Sequence, residues 1–246
     1  MKRVPKSVWV VIGAIGSGLV ISILAGSTVF AELAKLNAQY RPELPWAACV
    51  NLVWLALAAV WLNGWGWPRS TSAFRHHSLR LWRPPQPWGG DRTGSILILA
   101  ALIVAIYAFF IVAAVSAGLT HGRPPPDLSA YPTTAMRFSA LIMGAVLSGV
   151  GEEMAFRGYM QCQLERFGPT KAIGITSIVF VLAHAPQDLH QFVRLAVGYL
   201  VLALLWGTLA YRAGTILPGM LLHVAGDLAA GYFVYLGGRG DLLFVQ

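Results

Sequence analysis

Charge is scarce in this chain. Of its 246 residues only 11% are Asp, Glu, Lys or Arg, against roughly 25% in a soluble globular domain. That deficit excludes an ordinary soluble enzyme, and with 57% hydrophobic residues it excludes disorder as well. Cysteine is nearly absent. Cys49 and Cys162 stand far apart, each in or beside an apolar segment, which leaves no support for a structural disulfide or a cysteine zinc site. No self-similarity recurs at a period of about 20 to 50 residues, so neither a solenoid nor a plain inverted-repeat transporter is favoured. What the chain does have is long apolar runs and a mean hydropathy of +0.63, the composition of an all-α polytopic membrane bundle.

Windows of about 19 residues place spans near 8–30, 46–63, 95–119, 139–160, 170–186, 193–211 and 216–236, about seven transmembrane helices. The first follows a basic start, Lys2, Arg3 and Lys6, but is longer than the roughly 7–15 residues of a signal-peptide core, and it reads as a retained helix. The net charge of +8 collects in the connections. With the N-terminus in the cytoplasm, eleven Lys and Arg fall inside and six outside, which supports that orientation, and the Arg-rich, Lys-poor composition points to a bacterial inner membrane. The Trp-, Arg- and Pro-rich loop over 63–94 suits the headgroup region of a bilayer rather than nucleic acid. Residues 123–126, Arg-Pro-Pro-Pro, mark a stiff outer connection. The chain divides into N-terminal helices (1–120) and a polar-bearing core (139–236), and it reads as a single structural domain.

The informative residues are the few ionisable groups inside apolar runs, each costing ~2.5–3.5 kcal/mol at mid-bilayer. Glu153 and Arg157 are i and i+4 with the acid first, the better order for an ion pair. Glu152 points roughly 100° away on an α-helix, free to reach another helix. Gly168-Pro169 is the expected turn between the fourth and fifth spans. Glu152 lies 16 residues before Gly168 and His184 lies 16 after it, so two antiparallel helices leaving that turn carry the two side chains to one depth. Phe180 shares the face of His184. His223 and Asp227 are again i and i+4, and Asp227 can accept from the imidazole and fix its tautomer. The alternative is that these groups only staple helices together. His76, His77, His121 and His190 fall in loops or near span ends and receive no role.

In order along the chain, Glu152-Glu153-x-x-x-Arg157, Phe180-x-x-x-His184 and His223-x-x-x-Asp227 resemble the three motifs of the CPBP family of intramembrane proteases, which includes type II CAAX-prenyl endopeptidases and bacteriocin-processing proteins. The resemblance covers about 139–236. It implies a helix bundle with the active site in an intramembrane cavity and hydrolysis of a peptide bond in a membrane-embedded, membrane-anchored or lipid-modified protein substrate. Glu152 would activate water and His184 would help to hold it. His223 and Asp227 would stabilise the oxyanion, with Glu153 and Arg157 positioning the site. Asp227 stands where Asn is common, and an ionised Asp cannot donate to an oxyanion. It is then protonated, or orients His223, or binds a metal. A metal-free glutamic mechanism is preferred. The zinc alternative would use His184, His223 and a carboxylate of Glu152 or Asp227. Competing readings are a proton-coupled transporter and an inactive family member acting as a membrane partner or immunity protein.

Overall fold

The computed structural model describes residues 6–25, 27–41, 44–60, 90–116, 128, 131–184 and 189–244. Within these the chain is helical throughout and has no strand. The N-terminal part forms α1 (Lys6–Ala25), α2 (Ser27–Tyr40), α3 (Trp46–Val60) and α4 (Gly90–Ser116). The core follows as α5 (Thr134–Val146), a π-helical stretch over Leu147–Gln161 that continues the same rod, α6 (Pro169–Ala183), α7 (Leu189–Ala213) and α8 (Leu217–Ala230). A wide turn, Gly231–Tyr235, and a 3₁₀ turn, Gly240–Leu243, close the described chain.

Among the described residues four helical segments are long and apolar enough to cross a membrane: Thr93–Ser116, Thr134–Phe167, Ala196–Ala213 and Leu217–Val234. Three further apolar helices, Ser7–Ile23, Trp46–Leu57 and Pro169–Ala183, are shorter. The expected first span over 8–30 differs from the structure: α1 gives way to α2, which carries Glu32 and Lys35 as an exposed ion pair (2.7 Å). The predicted loop over 63–94 lies outside the described residues as far as 89, as does the proline run at 124–126.

Local chemistry explains the boundaries. The hydroxyl of Thr133 accepts from the amide of Met136 (3.3 Å) and opens α5. Gly168 sits at φ +102°, open to glycine, and Pro169 supplies the first helical residue of α6. Gly214, at φ +68°, ends α7 with its N–H on the carbonyl of Ala210 (3.0 Å). Thr215 then accepts from the amide of Leu217 (3.3 Å), and Pro218 fits the first turn of α8. Beyond α8, Arg239 donates to Asp241 (2.7 Å) and holds its carboxyl below the usual carboxylate range.

Large apolar side chains fill the interior of the bundle and also cover much of its exterior. Trp206, Phe156, Phe180, Met154 and Met160 are buried, while Phe109, Val197 and Leu221 face outward at 68%, 70% and 72% exposure. Such an outer surface suits acyl chains, where apolar exposure carries no penalty. The π-helical stretch lies at the centre, packed against α1, α5, α6 and α8. Its crossing with α8 is close because Gly149 has no side chain: a Cβ there would lie 2.6 Å from the backbone nitrogen of Val224.

Candidate active site

The π-helical stretch carries Glu152, Glu153 and Arg157, and its width has a geometric effect. An i→i+5 helix turns through a smaller angle per residue than an α-helix, so consecutive side chains diverge less. Glu152 reaches another helix at His184, and both acids also face His223, Glu153 at Nδ1 and Glu152 at Nε2. Glu153 Oε1 accepts from His223 Nδ1 (3.2 Å), and Glu152 Oε2 lies 4.0 Å from His223 Nε2. The other Glu152 oxygen, Oε1, lies 3.8 Å from His184 Nε2. Both Glu152 separations exceed a direct hydrogen bond.

The Glu153–Arg157 pair forms as the i,i+4 spacing predicts, with Nη1 3.2 Å from Oε1 and both side chains sealed from solvent. Arg157 also donates to the carbonyl of Ala203 (3.4 Å) and lies over the rings of Phe180 (4.5 Å) and Trp206 (5.3 Å). A cation stacked on aromatic faces is electrostatically supported where water is absent. Gly219 lies against the acid of this pair, since a Cβ there would come within 3.1 Å of Glu153 Oε2.

His184 stands at the C-terminal end of α6, where its Nδ1 donates to the carbonyl of Phe180 (2.8 Å). In the neutral ring that bond leaves Nε2 as an acceptor facing Glu152. Phe180 packs beside His184 (4.4 Å between centroids), as their shared face predicts, and Tyr199 closes the other side (5.1 Å). His223 stacks on the indole of Trp206, with centroids 4.1 Å apart and planes 18° apart. The Nε2 atom of His223 is 3.5 Å from both Ser148 Oγ and Asp227 Oδ2. Asp227 is therefore the looser carboxylate partner of His223, and Glu153 the nearer one.

Asp227 has a closer partner that the motifs do not contain: Tyr107 of α4 donates to its Oδ1 (3.0 Å). The ring reaches it across Gly226, where a Cβ would stand 2.4 Å from the phenol carbon. Asp227 also lines a cavity of about 350 Å³ together with Arg137, Leu141, Ala145, Ala230 and Leu243. Thus Glu152, Glu153, Arg157, His184, His223 and Asp227 converge, with Phe180 as a wall. Tyr107, Ser148, Tyr199 and Trp206 join them without having been singled out. A tyrosine within the apolar run of α4 was the one available signal. Among the described residues no set of three histidine, cysteine or carboxylate side chains is arranged to hold a metal ion.

Comparison with known proteins adds one match. Residues 133–229 fit the family model described as type II CAAX prenyl endopeptidase Rce1-like. Comparisons with curated proteins and with solved structures give no match. The matched segment spans α5 through α8 and carries every motif residue, while Tyr107 lies outside it. The apolar helices and this likeness to a peptidase family together point to an integral membrane protein, and over residues 133–229 the chain is similar to the Rce1-like type II CAAX prenyl endopeptidase family.

Proposed function

We propose that the protein is an intramembrane endopeptidase that hydrolyses a peptide bond of a membrane-associated or lipid-modified protein substrate. The observation that carries this reading is the position of Glu152, whose two oxygens face the Nε2 atoms of His184 and His223 across gaps of 3.8 and 4.0 Å. Glu152 Oε2 is buried with no hydrogen-bond partner among the described residues. A buried carboxylate oxygen that no protein donor occupies is free to take a proton from a water.

In this scheme the water sits between Glu152 and His184. Glu152 takes its proton while the oxygen attacks the scissile carbonyl. Nε2 of His184 accepts the second water hydrogen and aims the lone pair. His223 stands at the developing oxyanion. In its doubly protonated form Nδ1 donates to Glu153 and Nε2 is a donor toward the reacting oxygen. Asp227, with one oxygen held by Tyr107, keeps the other 3.5 Å from the same Nε2 and biases the ring by its charge rather than by a hydrogen bond. This assigns Asp227 an orienting role, for which an acceptor is as suitable as an amide. Glu153 and Arg157 hold His223 through a charge pair and do not touch the substrate. The full scheme places seven crossings in a bacterial inner membrane, with the N-terminus cytoplasmic, and runs without a metal.

The test is cleavage of a reconstituted, membrane-anchored reporter by purified protein, with metal content and chelator titration on the same sample. Glu152→Gln should lower kcat by ~10²–10⁴-fold with the melting temperature retained, and full chelation should leave the wild-type rate unchanged. Full activity in both Glu152→Gln and His184→Ala would overturn the peptidase reading. Stoichiometric zinc whose removal and return switches activity would overturn the metal-free one.

A further inference from the structure

Three oxygen atoms surround Nε2 of His223, the atom assigned above to the reacting oxygen: Ser148 Oγ and Asp227 Oδ2 at 3.5 Å, and Glu152 Oε2 at 4.0 Å. Ionised carboxylates only accept, so of these three groups the Ser148 hydroxyl alone carries a hydrogen. It also differs from other hydroxyls of the bundle. Those of Ser17, Ser139 and Thr208 donate back to carbonyls of their own helices, on Gly13, Met136 (2.9 Å) and Leu204 (2.7 Å), as helical hydroxyls commonly do. Among the described residues the Ser148 hydroxyl makes no such bond, and its one hydrogen-bond partner is the distant His223 Nε2. Its proton is thus free to rotate toward a stronger acceptor. Ser148 is half-buried and lies four residues before Glu152 on the same rod. Gly144 and Ala145, about one turn before it, line the cavity that Asp227 borders, so along the rod the hydroxyl stands between that cavity wall and Glu152.

We propose that Ser148 is a further catalytic residue, its Oγ–H acting with Nε2–H of His223 as a pair of donors to the oxygen of the scissile carbonyl. The proposal rests on the endopeptidase reading above and deepens it by naming a second oxyanion donor. Two donors 3.5 Å apart can each lie about 2.9 Å from one oxygen placed between them. A single carbonyl oxygen therefore replaces the long contact that the two side chains make with each other. When water adds to the carbonyl carbon, the π pair of the C=O bond moves onto that oxygen. Ser148 and His223 hold the charge as donors and keep their protons, and the pair returns as the C–N bond breaks. Ser148 forms no covalent bond to the substrate. By the time the oxyanion forms, Glu152 has taken the water proton, but Asp227 keeps its charge 3.5 Å from Nε2 and opposes a second negative charge beside it. A donor on the rod side offsets that repulsion where the imidazole alone offers one hydrogen.

The test is the pH dependence of kcat and KM for the membrane-anchored reporter, measured on the full chain in proteoliposomes as wild type, Ser148→Ala, Ser148→Thr and Glu152→Gln, with a thermal melt of each. An oxyanion donor acts in the transition state, so Ser148→Ala should lower kcat by ~10²–10³-fold while KM stays within about twofold. The pH profile of the residual rate should keep the wild-type midpoints, and the melting temperature should be retained. Ser148→Thr, which keeps a hydroxyl at this place, should recover kcat to within about tenfold of wild type, and it carries the comparison if the Ala variant does not fold. Wild-type kcat in Ser148→Ala overturns the proposal. So does a displaced pH profile in that variant, which would mean that the hydroxyl only sets the protonation of His223. Equal losses in the Thr and Ala variants overturn it as well, since a donor would then not be what is missed. Reporter cleavage separates this proposal from the reading beneath it. Absence of cleavage by the wild type overturns both, whereas cleavage that Glu152→Gln abolishes and Ser148→Ala leaves intact overturns the role of Ser148 alone.

Discussion

Gly149→Ala should damage the proposed activity strongly, because the added methyl group meets backbone as well as side chain. A Cβ at this position would lie 2.5 Å from Val224 Cγ2, 2.6 Å from the Val224 backbone nitrogen and 3.0 Å from its Cα, where ordinary contact begins at 3.4 Å. The methyl group of Val224 can rotate away, but the backbone nitrogen belongs to α8 and cannot. Relieving the clash therefore requires the π-helical stretch and α8 to part by about 0.8 Å. Glu152 lies three residues beyond Gly149 and His223 next to Val224, so the whole shift falls on the Glu152–His223 gap. Misplacement by about 1 Å costs on the order of 10²-fold in rate, and overpacking of this kind costs ~1–3 kcal/mol in stability. The assay is reporter cleavage in proteoliposomes with a thermal melt on the same preparation. Gly174→Ala is the control, because no atom lies within 4 Å of its Cβ position in α6; it should leave the rate within about twofold. Wild-type turnover and melting in Gly149→Ala would refute the reasoning. Full rescue by Val224→Ala would refute the claim that backbone, rather than side chain, sets the limit.

Tyr107→Phe removes the donor to Asp227 Oδ1 while keeping the ring over Gly226. It should lower kcat by about 10- to 100-fold, the worth of a hydrogen bond to a charged group, with KM nearly unchanged; an unaltered kcat would show that Asp227 needs no such support. Arg157→Met leaves Glu153 as a buried charge without its guanidinium and should destabilise the fold by ~3–5 kcal/mol. Adding Glu153→Gln should recover part of that loss in the same melt, and an unshifted melting temperature in the single variant would contradict the assignment.

Much of the site was legible in the sequence because it depends on spacing along helices. The equal counts from Gly168 to Glu152 and to His184 require only a common rise per residue and a tight turn, and Gly168 at φ +102° provides that turn. The Glu153–Arg157 pair survives in the wider helix because an i,i+4 pair still meets there. What spacing does not encode is the width itself. Nothing in Leu147–Gln161 announces an i→i+5 helix, so the convergence of Glu152 and Glu153 on His223 could not be read. Tyr107 and Trp206 were missed for another reason. They act from helices distant in sequence, and their partners, Asp227 and the ring of His223, are set by how α4 and α7 pack. The break between α1 and α2 was hidden because hydropathy averages across a change of helix.

The arrangement of the three charges on one rod also bears on how the chain is made. Glu153 and Arg157 are four residues apart and can enter the bilayer together as a neutral unit. Glu152 has no such companion nearby: its partners His184 and His223 come 32 and 71 residues later in the sequence. At a synthesis rate of roughly 5–20 residues per second, this acid waits roughly 4 to 14 seconds for both imidazoles to emerge. Through that interval the span carries a penalty of ~2.5–3.5 kcal/mol, enough to bias it by about 10²-fold toward the aqueous side. Full relief of that penalty therefore waits for the C-terminal helices, and a chain stopped before His223 would keep Glu152 short of one of its two imidazole partners.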